Sequence, residues 1–279
     1  MTRHKKRHKR RSALTLATAL GALTLGATTA SAAPTWTETG TAHVNSLTGS
    51  QGLASRADGT LVYRGLGSVP LSLRVAGWTH VGDPDVARGL TFDAYQGGDS
   101  ATKKMFAVTT ADGKRTTYEH ALDPGEMLNN SFAAVSPDDQ WLVSGEWGTR
   151  DRLQVFPAPV LNPSAPRPGT NLPQAGQISL DKPVTNIQGC DFTDATHLLC
   201  SSDATTKEVL DIALDRPLDG RPVTGHVTSA FAIPQRSVCK GTFESEGIDY
   251  DATRGTLRVQ MVPPSPCLVT TSVISYKRG

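Results

Sequence analysis

The chain has 279 residues, with 28 Lys or Arg against 26 Asp or Glu, four cysteines and a formal net charge of +2. Seven of the 28 basic residues fall within the first eleven, MTRHKKRHKRR, so residues 33–279 carry 21 basic against 26 acidic groups, a formal charge of −5. That balance withdraws the basic footprint nucleic-acid binding needs, and no segment reaches the roughly 20 apolar residues of a membrane-spanning helix.

Residues 1–32 read as a secretory signal. A basic start is followed by the apolar run Ala13–Gly26 and by Ala30-Ser31-Ala32, a small-x-small cleavage pattern. Arg10-Arg11-Ser12-Ala13-Leu14 also fits a loose twin-arginine pattern, which leaves general and twin-arginine export both open. Residues 33–279 are then one unit, long enough for a single all-β domain.

Along that unit, short β-branched and aromatic runs alternate with Gly, Pro, Asp and Asn turns, an all-β signature. One theme recurs five times: a polar residue, a small or apolar stretch, a turn, and an apolar strand. The copies are Gln51–Ser55 with strand Thr60–Tyr63, Gly82–Val86 with Leu90–Phe92, and Asn130–Val135 with Trp141–Val143. Gln188–Phe192 with His197–Cys200 and Glu246–Tyr250 with Thr256–Val259 complete the set. Further strands are expected between them, including a hairpin of Met105–Thr110 and Arg115–Ala121 about Ala111-Asp112-Gly113. The proline-rich Pro157–Pro173 reads as an ordered, extended surface connection.

About four strands in roughly 50 residues is the pattern of a propeller blade. The expected fold is therefore a single-domain β-propeller of five four-stranded blades. A degenerate sixth is placed in Ser68–Gly77 plus the N-terminal strand. Trp36–Val44 and Leu268–Tyr276 supply the strands that close the ring and remove exposed edges. A two-sheet sandwich is the alternative; it explains the strands but not the repeat.

Cys190, Cys200, Cys239 and Cys267 read as two disulfides in an exported chain. The repeat sets Cys190 and Cys200 on paired strands of one blade, and Cys239 and Cys267 on either side of the last hairpin. The expected pairs are Cys190–Cys200 and Cys239–Cys267.

In a propeller the innermost strands line a central channel. The polar openers of the five copies, Gln51, Asp83, Asn130, Gln188 and Glu246, are expected to converge as a ring of oxygen donors. Such a ring suits Ca2+, which takes 6–8 oxygens; capping of backbone groups or holding channel water is the alternative role. His80 and Glu244 adjoin the ring. Asp85 and Asp249, two or three residues on, are expected in turn or inter-blade hydrogen bonds. The sequence shows no Gly-x-Ser-x-Gly elbow, phosphate loop or metalloprotease helix. His197 reads as a strand histidine, and Trp141 and Trp147, the latter beside Glu146, as wedges between blades.

The stretches Gln188-Gly189-Cys190-Asp191-Phe192, Gly241–Tyr250 and His80-Val81-Gly82-Asp83 resemble secreted actinobacterial β-propeller proteins of largely unassigned function. More distantly, the repeat is similar to calcium-dependent lactonase and esterase propellers and to phytase-like propellers. That resemblance implies a central calcium held by Glu246, Asn130 and Asp83. Gln51 and Gln188 depart from it by replacing acids or asparagines, and no His pair flanks the ring. The expected function is a secreted, monomeric, non-enzymatic propeller that binds an extracellular protein, glycan or small ligand. A calcium-dependent ester or lactone hydrolase is the alternative.

Overall fold

The computed structural model describes Met1, residues 35–128 and residues 132–279. The expected export signal lies outside these, as does Asn130. Strands make up 51% of the structure and helix 5%, so the all-β class holds.

β1 (Trp36–Asn45) leads into one helical turn, α1 (Ser46–Gly49), where the Asn45 side chain accepts the Leu47 N–H. β2 (Gly52–Ser55) and β3 (Leu61–Arg64) then pair across a turn in which Gly59 adopts φ 88°, a left-handed conformation that favours glycine. These two strands form a sheet of their own. Ser68–Gly77, which the sequence offers with the N-terminal strand for a sixth unit, is not strand. Residues 66–75 form a 3-10 turn and the short helix α2 (Leu71–Val75), begun at Pro70, whose fixed φ suits a helix start. The run LGSVPLSLRV also lacks the period-two alternation of a half-buried strand.

β4 (His80–Val81), β5 (Asp85–Ala87), β6 (Leu90–Gln96), β7 (Lys103–Thr109) and β8 (Arg115–Ala121) form the next sheet, with β4 and β5 both paired to β6. The predicted hairpin about Gly113 is present as β7–β8, from Lys103↔Ala121 to Thr109↔Arg115. β7 is buried from Lys104 to Val108, as a strand covered on both faces must be, whereas β8 alternates towards its solvent side.

An eight-stranded sheet follows. It contains β9 (Ala134–Val135), β10 (Trp141–Ser144), β11 (Thr149–Pro157), β12 (Gly176–Thr185), β13 (Ile187–Asp194), β14 (His197–Ser202), β15 (Glu208–Leu214) and β16 (Val223–Ala232). Its order is β13-β14-β15-β16-β12-β11-β10-β9, and the end strands β13 and β9 also touch. Two antiparallel sets of four are thus fused by a short parallel pairing, Ile178–Leu180 against Val223–Gly225. Gly225 permits this approach: a Cβ there would stand 2.7 Å from the Ile178 side chain and 2.8 Å from Ile212. The segment from Pro157 to Pro173 is a chain of turns rather than extended, and it packs back on β8 through buried Leu172.

β17 (Glu244–Asp251), β18 (Thr256–Val262) and β19 (Thr270–Arg278) complete the chain. β1 pairs antiparallel with β19 from Trp36↔Arg278 to Asn45↔Thr270, so the two ends of the fold share one sheet. The five predicted hairpins are all present, as β2–β3, β5–β6, β9–β10, β13–β14 and β17–β18. Their first strands meet in a closed sequence: β2 touches β5, β5 touches β9, β9 touches β13, β13 touches β17, and β17 touches β2.

The hydrophobic core is divided among the gaps between successive strand sets. Val143, Leu153 and Ile178 pack with Leu198 and Ile212; Phe92, Phe106 and Val108 pack with Leu142 and Phe156; Leu199 and Val209 pack with Leu257, Val259 and Ile274. Each such side chain contributes about 1.5–3 kcal/mol by leaving water. Both disulfides form with the predicted pairing. Cys190 and Cys200 lie opposite in register with Cα atoms 4.0 Å apart, and Cys239 and Cys267 have Cα atoms 6.0 Å apart.

Candidate functional site

The first strands of the five hairpins share no ladder with one another, so side chains stitch them together. Asp83 does most at the middle. Its Oδ1 accepts the Leu53 N–H at 2.9 Å, its Oδ2 accepts the Ile248 N–H at 3.1 Å, and its backbone carbonyl accepts the Ala133 N–H at 2.9 Å. Three different hairpins are thus held by one residue. Glycines make room for it: a Cβ on Gly189 would lie 2.0 Å from Asp83 Oδ2, on Gly247 2.2 Å from Oδ1, and on Gly52 2.5 Å from the Asp83 Cα. Burial pushes the Asp83 carboxyl well above the usual range, against the two amide hydrogen bonds that favour its charge.

Towards the hairpin turns, a second tier of aspartates repeats this stitching from strand to strand. Asp85 Oδ2 accepts the Val135 N–H at 2.6 Å, Asp191 Oδ2 accepts the Tyr250 N–H at 2.6 Å, and Asp249 Oδ1 accepts the Ser55 N–H at 2.7 Å. Asp249 has a cation as well, Arg258 Nη1 at 2.7 Å. Asp85 and Asp191 have only backbone amides: their remaining bonds come from the N–H groups of Val86 and Phe192. Burial, first of all, raises the Asp85 carboxyl to about 6 and that of Asp191 well above the usual range, with neighbouring aspartates adding to it; burial also raises Asp249, against the Ser55 and Arg258 contacts that favour its charge.

These aspartates border a cavity of about 380 Å³ at the turn end of the closed strand sequence. All five hairpins contribute to its lining, among them Ser55, Asp85, Val135, Asp191 and Asp249. Among its lining residues Arg88 pairs with Asp139, and Asp251 pairs with Arg254, whereas Asp85 and Asp191 have no ion pair among the described residues. The volume suits a small molecule, and the lining offers acceptors in excess of donors.

The predicted ring is placed as follows. Asp83 stands level with Gly52, Gly189 and Gly247, one residue deeper than Gln51, Gln188 and Glu246. Gln51 donates through Nε2 to its neighbour's carbonyl, Ser50 O, at 3.0 Å. Gln188 is half-buried. Glu246 is buried at the start of β17, where desolvation and the nearby Glu244 and Asp203 raise its carboxyl well above the usual range. Asn130 is outside the described residues. Among the described residues, neither Asp83 nor Glu246 belongs to a group of three His, Cys or carboxylate ligands whose donor atoms lie within 4.8 Å of one another. Sequence reasoning missed Asp191. The signal was present, since Asp191 holds the same place in QGCDF as Asp249 holds in EGIDY.

A second polar cluster is buried between β7, β8 and β11. Lys104 is 0% exposed; its Nζ lies 3.1 Å from Glu126 Oε1 and 3.2 Å from Gly145 O, and it also donates to Gln154 Oε1. Burial lowers the Lys104 ammonium pKa, while the Glu126 charge opposes that. Burial works against the Glu126 charge in turn, but the His120 hydrogen bond and Lys104 outweigh it and hold the carboxyl below its usual range. Glu146 beside it accepts from Arg152 Nε at 2.7 Å and from the Met127 N–H at 2.9 Å, which holds its carboxyl low despite burial. Glu126 and Glu146 thereby tie down the segment after β8.

No protein-family model matches the sequence, and no curated protein is significantly similar to it. Among the described residues, no helix is long and apolar enough to cross a membrane.

Proposed function

We propose that this chain is an extracellular five-bladed β-propeller that binds a small cationic ligand, an amine or guanidinium, at the turn end of its axis without transforming it. The five hairpins, the closed sequence of their first strands and the pairing of β1 with β19 support the propeller reading. Two disulfides, which persist in oxidising compartments, support the extracellular one.

One observation carries the ligand class: the cavity wall holds Asp85 and Asp191, neither of which has a cationic partner among the described residues. A bound ammonium or guanidinium supplies the missing charge and forms charge-assisted hydrogen bonds. The calcium-hydrolase alternative is less well supported, because among the described residues neither Asp83 nor Glu246 belongs to a group of three His, Cys or carboxylate ligands whose donor atoms converge.

The test is thermal unfolding of the protein with a panel of polyamines, guanidinium compounds, carboxylates and neutral sugars. Cations are expected to raise Tm selectively, with about 2.7 kcal/mol of stabilisation at one hundred times Kd. The gain is expected to grow from pH 5 to pH 7, as the Asp85 carboxyl, raised to about 6, ionises. Asp191→Asn is expected to weaken it. Stabilisation by sugars or anions alone, or cation binding indifferent to Asp191→Asn, contradicts the proposal.

A further inference from the structure

The segment after β8 brings together three ligand-type side chains away from the axial cavity, and their chemistry is independent of any axial ligand. His120, Asp123 and Glu126 each offer a donor atom, and these atoms all lie within 4.8 Å of one another. We propose that they form a binding site for one divalent first-row transition-metal ion, of which zinc is the natural probe.

The histidine is already oriented as a ligand. Its Nδ1 faces the Leu172 carbonyl at 2.9 Å, and a carbonyl only accepts, so Nδ1 carries a proton. That is the usual outer partner of a metal-bound imidazole, fixing the tautomer and the ring plane. The ring is held edge-on to Phe156 with centroids 4.9 Å apart. Its Nε2 therefore points at Glu126 Oε2, 2.9 Å away, a position filled by either a proton or a metal ion.

Glu126 is equally fixed. Its Oε2 accepts the Asp123 N–H at 2.9 Å, and its own N–H donates to the Asp123 carbonyl at 2.9 Å, closing a tight turn. Its Oε1 lies 3.1 Å from Lys104 Nζ but off the line a hydrogen bond needs, so this buried oxygen has no directed donor. Asp123 supplies the open side: it is exposed, and its carboxylate has no hydrogen bond or salt bridge among the described residues.

One imidazole and two carboxylates suit zinc, manganese or iron better than calcium, which prefers oxygen alone. Two carboxylates also neutralise the ion's charge, and the exposed face leaves a coordination position for water. All four cysteines are in disulfides, so no thiolate competes.

The test is calorimetric titration of the disulfide-bonded protein with zinc chloride. An equivalent of zinc is expected whose affinity falls at least about tenfold in Asp123→Asn, a substitution at an exposed side chain that leaves the buried network in place. His120→Gln is expected to abolish it. His226, set on the surface between Asp181 and Asp215, is the decoy, and His226→Ala is expected to leave binding intact. Absence of zinc binding, binding unchanged in Asp123→Asn, or loss in His226→Ala each overturns the proposal.

Discussion

The axial aspartates and the glutamates beneath the segment after β8 bury the same functional group and balance it differently. Asp85 and Asp191 are surrounded by backbone amides and by one another, and burial raises their carboxyls. Glu126 and Glu146 are as deeply placed, but Lys104, His120 and Arg152 stand against them, and their carboxyls are held low. The cost of desolvation is common to both regions; the presence of a cation decides the sign of the shift. A region that lacks its counter-charge is poised to take one from a ligand. A region that holds its own keeps its carboxylates ionised.

The comparison breaks most visibly by deletion. Removing the acid in Glu126→Leu leaves Lys104 buried without its counter-ion and is expected to cost about 3–5 kcal/mol in denaturant unfolding at pH 5. Asp191→Asn at the same pH removes one acceptor from a carboxyl that burial pushes towards its neutral form, and is expected to cost only about 1–2 kcal/mol. Equal losses would mean that the two regions do not differ in charge.

A smaller effect sharpens the axial side. Asp85 rises from 3.8 to about 6 on folding, so the native state binds the extra proton between about pH 4 and pH 6. Its contribution to stability is greatest below that window and is lost as pH rises through it. Relative to Asp85→Asn, the wild type is expected to lose about 1–3 kcal/mol between pH 4 and pH 7. Parallel pH profiles of the two proteins would contradict this.

Much of the scaffold was legible because it depends on local chemistry. Turn residues such as Ala57-Asp58-Gly59 and Ala111-Asp112-Gly113, with alternating strands on either side, placed the hairpins. Opposed positions in one hairpin gave Cys190–Cys200. Ser68–Gly77 was misread because an apolar, proline-broken run carries no period to distinguish strand from helix. As a result β2 and β3 stand alone instead of joining four strands. At the axis, the repeat pointed to the right strands but to the opening polar residue of each. Asp85 and Asp249, expected further along in turn or inter-blade hydrogen bonds, do bond between hairpins; Asp191, in the matching place, was missed, and the offset of Asp83 to the glycine level depends on packing. The Lys104 cluster was illegible: Lys103-Lys104 reads as a solvated strand end, and its partners at Glu126, Gly145 and Gln154 meet only in the tertiary fold.

The most direct measurement is a carboxyl-carbon NMR titration of the folded protein from pH 3 to pH 8. Asp85 is expected to titrate near pH 6, Asp191 and Asp249 above the usual aspartate range, and Glu146 below the usual glutamate range. Ordinary midpoints near pH 4 for the axial aspartates, together with an unshifted Glu146, would contradict the contrast between the two regions.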